Sequence, residues 1–259
     1  MLSKPSLILL YSIFVFSSCE EKVDLNLNED SGRVVIDAQL SDANSVQRIR
    51  VSQSVAFDAQ VGSTAVKNAT VTVKDNLNQS FLFQHEKDGN YVNRNFKPVV
   101  GRKYTLSVGV QKQQFTSSSS MPAYIDVDAT RIIEKEIAGK TYFFIALSFK
   151  DPAKIANYYM YTLSINGKEF RFASTESDQF NDGLEVTHYI SDLERSLSSG
   201  DKITVRRYCV NPGTYNYWNG YQSTSLSTAA PGNPKSNISN NALGYFSVAT
   251  VKEYQLAIP

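Results

Sequence analysis

Residues 103–110 read Lys-Tyr-Thr-Leu-Ser-Val-Gly-Val, with an apolar side chain at every second position from Tyr104 to Val110. A period of two places these side chains on one face of an extended strand. The same alternation recurs between residues 34 and 115, with turn residues such as those at 88–90 between the runs. About seven short strands without a convincing helix predict a β-sandwich for this part of the chain.

A run of serines marks the first domain boundary that the sequence predicts. Residues 117–120 are all serine and offer no apolar side chain to a core, and Pro122 cannot donate to the ladder of a central strand. The alternative is an ordinary loop between two strands. Because the preceding segment is long enough for one sandwich, we predict one domain over 31–121 and a second over 122–259.

The second half continues the β pattern and ends with a helix signal. Residues 143–149 are apolar on both faces, which is typical of a central strand. Asn166-Gly167 separates two alternating runs and predicts a two-residue hairpin turn. Asn211-Pro212 predicts a helix start, with asparagine as the N-cap and proline at the first helical position. The predicted fold class is therefore all-β, with one short C-terminal helix.

The N-terminus indicates export and lipidation. Lys4 supplies a positive start, and residues 7–16 are almost wholly apolar. Ten helical residues rise only roughly 15 Å, about half the thickness of a bilayer core. The segment ends in Phe-Ser-Ser-Cys at 16–19, which resembles the lipobox of a bacterial lipoprotein. We predict a signal peptide over 1–18 and lipid attachment at Cys19, with an ordinary secretory signal as the alternative.

The residues after Cys19 predict where the anchored protein lies. Residues 19–30 are polar and acidic after the cysteine, which predicts a flexible tether. The acidic pair Glu20-Glu21 resembles the surface-export signal of Bacteroidota lipoproteins, whereas acidic residues that only solvate a linker are the alternative. Two or three acyl chains suffice for stable anchoring. We therefore predict a lipid-anchored protein of the outer membrane that faces outward.

Charge and cysteine content exclude some classes of function. The 259 residues include 26 basic and 25 acidic side chains, so the chain lacks the basic surface that nucleic-acid binding requires. Once Cys19 is acylated, Cys209 remains alone and no internal disulfide forms. Its place in an alternating run predicts a buried and inert thiol.

The sequence contains no enzyme signature, and we predict no catalytic residue and no cofactor. His85 and His188 stand outside any zinc-ligand spacing, and our interpretation is that both are solvated. No nucleophile elbow and no phosphate-binding glycine loop occurs. A hydrolase with a site that sequence alone does not display is the remaining enzymatic alternative, which requires clustered carboxylates or a His–Ser pair in a cleft.

The strongest calcium pattern is incomplete. Residues 178–183 have acids at positions one and five and glycine at six, but Phe180 occupies the third ligand position of the EF-hand pattern. We interpret the segment as an acidic turn and predict no metal. A looser calcium site formed by Asp178, Asp182 and Glu185 is the alternative.

An aromatic cluster is the one feature with a binding character. Tyr215, Tyr217, Trp218 and Tyr221 follow one another at helical spacings beside an asparagine- and glycine-rich loop. Amphipathic aromatic side chains dominate binding hot spots, so these residues are candidates for contact with sugar rings or a partner protein. The alternative is that they cover the C-terminal sheet as core.

A series of short motifs extends over nearly the whole mature chain. It begins with Cys19-Glu20, continues with Asp151-Pro152 and is most specific near the end, where Tyr-Asn-Tyr-Trp at 215–218 precedes Ala-Leu-Gly-Tyr-Phe at 242–246. In this order the motifs resemble a family of Bacteroidota outer-membrane lipoproteins, the domain of unknown function 4249.

The resemblance implies a fold and a functional context. Members of the family look like an immunoglobulin- or transthyretin-like N-terminal sandwich joined to a second β domain. They are commonly encoded beside TonB-dependent transporters, which implies a transporter-associated role. The further cysteines that members often carry near Cys209 are absent here, so no disulfide follows by analogy.

The sequence therefore predicts a non-enzymatic surface lipoprotein that is an accessory or substrate-capture partner of a TonB-dependent transporter. Its other predicted partner is the outer membrane, through the N-terminal acyl chains, and nucleic acid is not a partner. The alternative from a different class is a free-standing glycan- or peptide-binding lipoprotein that uses the Trp218 cluster.

Overall fold

Fifteen strands and one helix form the fold in the computed structural model, which describes residues 32–56, 59, 62–192, 196–225 and 234–259. The fold is mainly β, as predicted. The predicted signal peptide, Cys19 and the whole predicted tether, residues 19–30, lie outside the described residues. The elements are β1 (Val34–Ser41), β2 (Gln47–Gln53), β3 (Thr64–Ala65), β4 (Thr70–Asp75), β5 (Ser80–Lys87), β6 (Asn90–Asn93), β7 (Lys103–Val110), β8 (Gln113–Ser120), β9 (Ala129–Ile137), β10 (Lys140–Lys150), β11 (Tyr158–Ile165), β12 (Arg171–Ser177), β13 (Glu185–Ile190), β14 (Lys202–Val210), α1 (Pro212–Ser225) and β15 (Leu243–Ala257).

The described strands form one large sheet and one small sheet. The large sheet has the order β12-β11-β14-β15-β1-β2-β6-β5-β4-β7-β8, with β3 paired to β2. The small sheet has the order β13-β10-β9, so the doubly apolar strand predicted at 143–149 is central in it.

The first half of the large sheet folds over its own core. Leu106 of β7 and Val71 of β4 are fully buried against Ile36 of β1 and Ile49 of β2. These strands lie far apart in the order of the sheet, so the sheet must bend around the side chains that they share. The alternation that we read over 103–110 is confirmed, since its apolar face lies in this core.

The serines at 117–120 are part of a strand, so the prediction that they bury nothing is wrong. They complete β8, and Ser117 and Ser119 are buried. Ser119 Oγ accepts a hydrogen bond from the backbone N–H of Val248 at 2.8 Å, and Ser117 Oγ donates to the carbonyl of Asn237 at 2.7 Å. Hydrogen bonds replace apolar packing at this edge of the core, which period-two patterning cannot reveal.

The long strand β15 belongs to both halves of the large sheet. Its first part, from Leu243 to Ala249, runs parallel to β1, and its second part, from Thr250 to Ala257, runs antiparallel to β14. Gly244 has a φ of +89° and lies against β1, where a Cβ atom would come within 2.0 Å of the Ile36 carbonyl oxygen. Only glycine permits this close approach of the two strands.

The second half encloses a separate core between the large sheet and the small one. Tyr161 of β11, Val205 of β14 and Ile145 of β10 are fully buried there. The predicted turn is present at Asn166 and Gly167, which both have positive φ, at 54° and 73°, and the Lys168 N–H donates to the Ile165 carbonyl across it at 3.1 Å. The pairing of β11 with β12 begins farther from the turn, at Leu163 and Arg171, so the connection between the paired strands is longer than two residues.

Helix α1 begins as the sequence predicts and packs on the opposite face of the large sheet. The Thr214 N–H donates to the Asn211 Oδ1 at 3.0 Å, which is an N-cap bond, and Pro212 opens the helix. The helix covers a small third core that contains Met160 and Val251. No helix in the described part of the chain has the length and apolar character needed to cross a membrane.

Candidate functional site

An open cleft of about 400 Å³ lies on the outer face of the large sheet, beside α1. Its volume falls in the range of small-molecule sites. The strands β1 and β2 beneath it turn their other face toward the first core, whereas Met160, Phe172 and Trp218 of the lining also belong to the small third core. The lining residues are Asp37, Gln39, Arg48, Arg50 and Asn90 on the polar side, Phe170, Phe172, Trp218 and Tyr245 on the aromatic side, and Met160 and Thr162 between them.

The polar side is built by strand register. Asp37 of β1 lies directly opposite Arg50 of β2, and Arg50 lies opposite Asn90 of β6. Neighbouring strands are about 4.8 Å apart, so a carboxylate, a guanidinium and an amide form one row across the sheet. Crowding by protein atoms raises the pKa of the Asp37 carboxyl, while the Tyr245 hydroxyl and the Arg50 charge partly oppose this rise.

The aromatic side is held by ring stacking. The rings of Trp218 and Phe172 are stacked with centroids 4.7 Å apart and an interplanar angle of 15°. Tyr245 stacks on Tyr217 with centroids 4.9 Å apart, and the Tyr245 hydroxyl donates to Gln39 Oε1 at 2.9 Å. This last bond links the aromatic side of the cleft to its polar side.

The four aromatic residues predicted from sequence divide between packing and the cleft. Trp218 lines the cleft and also covers the third core. Tyr215 packs on Tyr158 with ring centroids 5.1 Å apart, and Tyr217 supports Tyr245 from behind. Tyr221 contacts Trp218 edge-on and is 42% exposed. Their role in binding stays a prediction.

Three polar side-chain groups at the cleft are buried without a hydrogen-bond partner among the described residues: the Thr162 hydroxyl and two N–H donors. Gln39 Nε2 and Trp218 Nε1 both lack an acceptor. The indole N–H faces the Tyr245 hydroxyl, but their geometry falls short of a hydrogen bond. Buried polar groups in folded proteins nearly always have partners, so these groups are available to pair with a ligand in the cleft.

A comparison with protein families identifies the family to which this chain belongs. A family model described as a domain of unknown function, DUF4249, matches residues 20–255, which is most of the chain. The chain belongs to the DUF4249 family. No curated protein matches it.

The DUF4249 chain also contains a buried cation. The Arg207 side chain is fully buried, with its guanidinium carbon 4.3 Å from the ring centre of Phe149 and 4.4 Å from that of Tyr159. Its Nε donates to the Tyr161 hydroxyl at 3.1 Å, its Nη1 donates to the Ile125 carbonyl, and its Nη2 has no described partner. No described acidic side chain forms an ion pair with Arg207, so aromatic faces and neutral oxygens stabilise this charge.

His188 lies next to this cation and is buried, so the prediction that it is solvated is wrong. Its Nδ1 forms a hydrogen bond with the Tyr161 hydroxyl at 2.7 Å, and the same hydroxyl accepts a hydrogen bond from Arg207 Nε. Burial, followed by the nearby Arg207 charge, lowers the pKa of His188 to about 3. His188 is thus a neutral, buried side chain in the core between the two sheets.

This lowered pKa predicts a loss of stability in mild acid. The ordinary histidine value is 6.5, so below that pH the unfolded chain binds a proton that the folded chain excludes until about pH 3. The free energy of unfolding should therefore fall by about 2 kcal/mol between pH 7 and pH 5 through this one residue. Urea unfolding of wild type and His188→Gln at both pH values gives the free energy of unfolding. The effect is the difference between the two proteins in how much this free energy falls from pH 7 to pH 5.

The exposed His85 supplies the matched control for this experiment. His85→Gln should retain the acid loss of the wild type, whereas His188→Gln should reduce it. An equal acid loss in wild type and in His188→Gln would contradict the assignment of the effect to His188.

Cys209 matches its prediction as a buried free thiol, and burial raises its pKa. A raised pKa keeps the thiol protonated, and the thiolate is the nucleophilic form. Neither Cys209 nor either histidine lines the cleft.

Three carboxylates meet in the loops beyond β10 and β12. Oxygens of Asp151, Asp178 and Asp182 lie within 4.8 Å of one another, so Asp151 takes the place that the sequence alternative gave to Glu185. Each carboxylate already accepts a hydrogen bond from the protein: Asp151 from the Tyr159 hydroxyl, Asp178 from the Asn157 N–H and Asp182 from the Lys154 N–H, at 2.7, 2.8 and 2.7 Å. These bonds hold the two loops together.

Proposed function

We propose that this DUF4249 protein is a non-enzymatic, lipid-anchored protein of the outer-membrane surface that captures a substrate for a TonB-dependent transporter. The cleft beside α1 is the observation that carries the capture function. It combines an aromatic side, a polar row and unpartnered donors in one place, and these are the features by which small-molecule sites bind and orient a ligand.

The cleft supports binding better than hydrolysis. Asp37 is the only acidic residue among its described lining residues, whereas glycoside hydrolysis commonly requires two carboxyl groups on opposite sides of the scissile bond. The lining contains no histidine, cysteine or serine that could serve as base or nucleophile. A ligand in this cleft would therefore be held and released unchanged.

The membrane anchor is supported by the sequence of residues 1–21. In the proposed protein, acyl chains on Cys19 hold the folded part to the membrane, and the acidic tether gives it reach. The acidic pair Glu20-Glu21 after the cysteine supports a position of the anchored protein on the outer face of the membrane.

Replacement of the anchor cysteine tests this part of the proposal. Cys19→Ser should lose incorporation of radiolabelled palmitate and move from the membrane fraction to the soluble fraction, because no acyl chain is attached. Cys209→Ala is the matched control and should remain labelled and membrane-bound. Labelling of both variants, or of neither, would refute lipid attachment at Cys19.

Affinity purification tests the partner. The lipoprotein, tagged at its C-terminus and purified from detergent-solubilised outer membranes, should retain a TonB-dependent transporter. Recovery of the lipoprotein alone would contradict the transporter association. Ligand binding by that isolated protein would then favour the second candidate, a free-standing glycan- or peptide-binding lipoprotein, which the same cleft supports.

A further inference from the structure

We infer that the cleft beside α1 binds an uncharged saccharide. This inference rests on the proposed capture function and names its substrate class. It depends on four properties of the cleft. The first two are its division into an aromatic and a polar side and the row of polar side chains across the strands. The other two are the acidic side chains that face its arginines and the buried N–H donors that lack an acceptor.

The two-sided lining suits a ligand that is itself two-sided. A sugar ring presents C–H groups on its faces and hydroxyl groups around its rim. In the cleft, Phe172 and Trp218 form a rigid aromatic pair opposite the row that contains Asp37. Such aromatic side chains supply apolar contact area at little cost in conformational entropy, and the polar row lies where the rim hydroxyls of a ring would be.

The polar row alternates acceptors and donors. Asp37 can accept hydrogen bonds, Arg50 can only donate them, and the Asn90 amide can do both. Asn90 donates its Nδ2 to the Lys87 carbonyl at 3.1 Å, which leaves its Oδ1 for a ligand. A hydroxyl group both donates and accepts, so adjacent hydroxyls of one sugar satisfy this row, whereas a ligand with acceptors alone leaves Asp37 unmatched.

Each arginine that borders the cleft faces an acidic side chain of the protein. Arg48 forms an ion pair with Glu86 at 3.2 Å, and Arg50 faces Asp37 and donates to Ser63 Oγ at 3.3 Å. Glu86 also pairs with Arg94 at 2.6 Å, so an anionic ligand would meet arginines that already face an acidic side chain, and it would also meet the Asp37 carboxylate. This balance favours a neutral ligand over a sugar acid or a phosphate.

A peptide fits the cleft less well. Peptides commonly bind sheets by adding a strand to an exposed edge, where backbone groups are unpaired. Most of the cleft instead lies over β1, β2, β6, β11 and β15, each of which is paired on both sides within the large sheet. Only Phe172 comes from the edge strand β12, and it contributes its side chain. Recognition here depends on side chains, which is the mode that a hydroxyl-rich ligand requires.

The unpartnered donors predict how a bound sugar changes the protein. Gln39 Nε2 and Trp218 Nε1 are buried and need acceptors. A small rotation of either side chain toward the ligand pairs its donor with a sugar oxygen. Because unpaired buried groups carry a free-energy cost, such pairing adds to affinity. The surroundings of the Trp218 indole ring therefore change when the sugar binds.

Trp218 is the only tryptophan of the chain, so its fluorescence reports directly on the cleft. The purified protein without residues 1–19 is applied to an array of neutral oligosaccharides, anionic oligogalacturonates and short peptides. Ligands retained on the array are then titrated in solution. We expect saturable changes in fluorescence with a neutral oligosaccharide and none with the anionic or peptide probes.

Matched variants locate the binding. Asp37→Asn and Gln39→Ala should weaken the affinity for the retained oligosaccharide by about tenfold each, since each removes hydrogen bonds to the ligand. Glu134→Gln makes the same carboxylate-to-amide change at an exposed position of β9 and should leave the affinity unchanged. Thermal unfolding of each variant confirms that it is folded.

Each other result overturns the inference. No saturable signal from any neutral oligosaccharide, preferential binding of a galacturonate or a peptide, or equal affinity in the Asp37 variant and the Glu134 variant would each reject a saccharide site in this cleft. Purification of the tagged lipoprotein with a transporter is independent of this result, so failure of the substrate class is distinguishable from failure of the capture function.

Discussion

Replacement of Arg207 by alanine is expected to lower the free energy of unfolding by about 3 kcal/mol. The change leaves a cavity between the rings of Phe149 and Tyr159 and removes the donor that binds the Tyr161 hydroxyl. For a chain of this size the melting temperature should fall by roughly 6–12 °C. Urea unfolding and differential scanning calorimetry measure both quantities.

The neighbouring arginine provides the control. Arg206 points to the other face of β14, is partly exposed and pairs with Glu253 at 2.6 Å. Arg206→Ala should cost no more than about 1 kcal/mol, as is usual for exposed ion pairs. Equal losses of unfolding free energy in the two variants would show that the contacts of Arg207 with the rings of Phe149 and Tyr159 add nothing to stability.

A third variant separates volume from charge. Arg207→Met fills most of the space but carries no charge, and isolated buried charges are themselves costly. We expect Arg207→Met to be more stable than Arg207→Ala. A methionine variant as unstable as the alanine variant would instead show that the hydrogen bonds of the guanidinium, and not its volume, stabilise the second core.

Replacement of Gly244 by alanine is expected to destabilise the protein by about 3 kcal/mol or more. The added Cβ would come within 2.0 Å of the Ile36 carbonyl oxygen and 2.8 Å of its carbon, and both belong to the backbone of β1. The strands β1 and β15 must therefore separate locally. Unfolding in urea measures the loss, and hydrogen exchange of the amides of β1 and β15 should increase.

Gly101 is the matched control for this substitution. Its φ is +81°, close to that of Gly244, but nothing lies within 4 Å of an added Cβ. Gly101→Ala should cost only about 1 kcal/mol, because only backbone strain contributes. Equal destabilisation of the two variants would mean that φ alone, and not the contact with β1, determines the effect.

Local signals in the sequence predicted the elements that depend on neighbouring residues. The alternation around Leu106, the turn at Asn166-Gly167 and the cap at Asn211 each arise from residues within one element. These patterns reflect backbone preferences that operate at short range. The order of the strands was not accessible in the same way, because alternation identifies a buried face but not the partner strand.

His188 illustrates a signal that was present and misread. Val186, His188 and Ile190 alternate with polar residues, and all three are buried in β13. The period of two therefore indicated an inward-facing histidine. What the sequence did not reveal is the Tyr161 hydroxyl that makes this burial tolerable, since it comes from β11.

The cleft could be predicted only in part. Trp218 was identified because aromatic residues recur at helical spacing around it. Asp37, Arg50 and Asn90 were missed, because polar side chains on the outer face of a strand look like ordinary solvent-exposed positions. They form a row only through the pairing of β1 with β2 and of β2 with β6, and this register is a property of the folded sheet.

The dual pairing of β15 also has a consequence for the time at which the protein can fold. On the ribosome, β1 emerges early but cannot bind its parallel neighbour until residues 243–249 have been synthesised. Contacts of such long sequence separation form slowly. The junction between the two halves of the large sheet is therefore expected to form late, after the other strands of each half are already available for pairing.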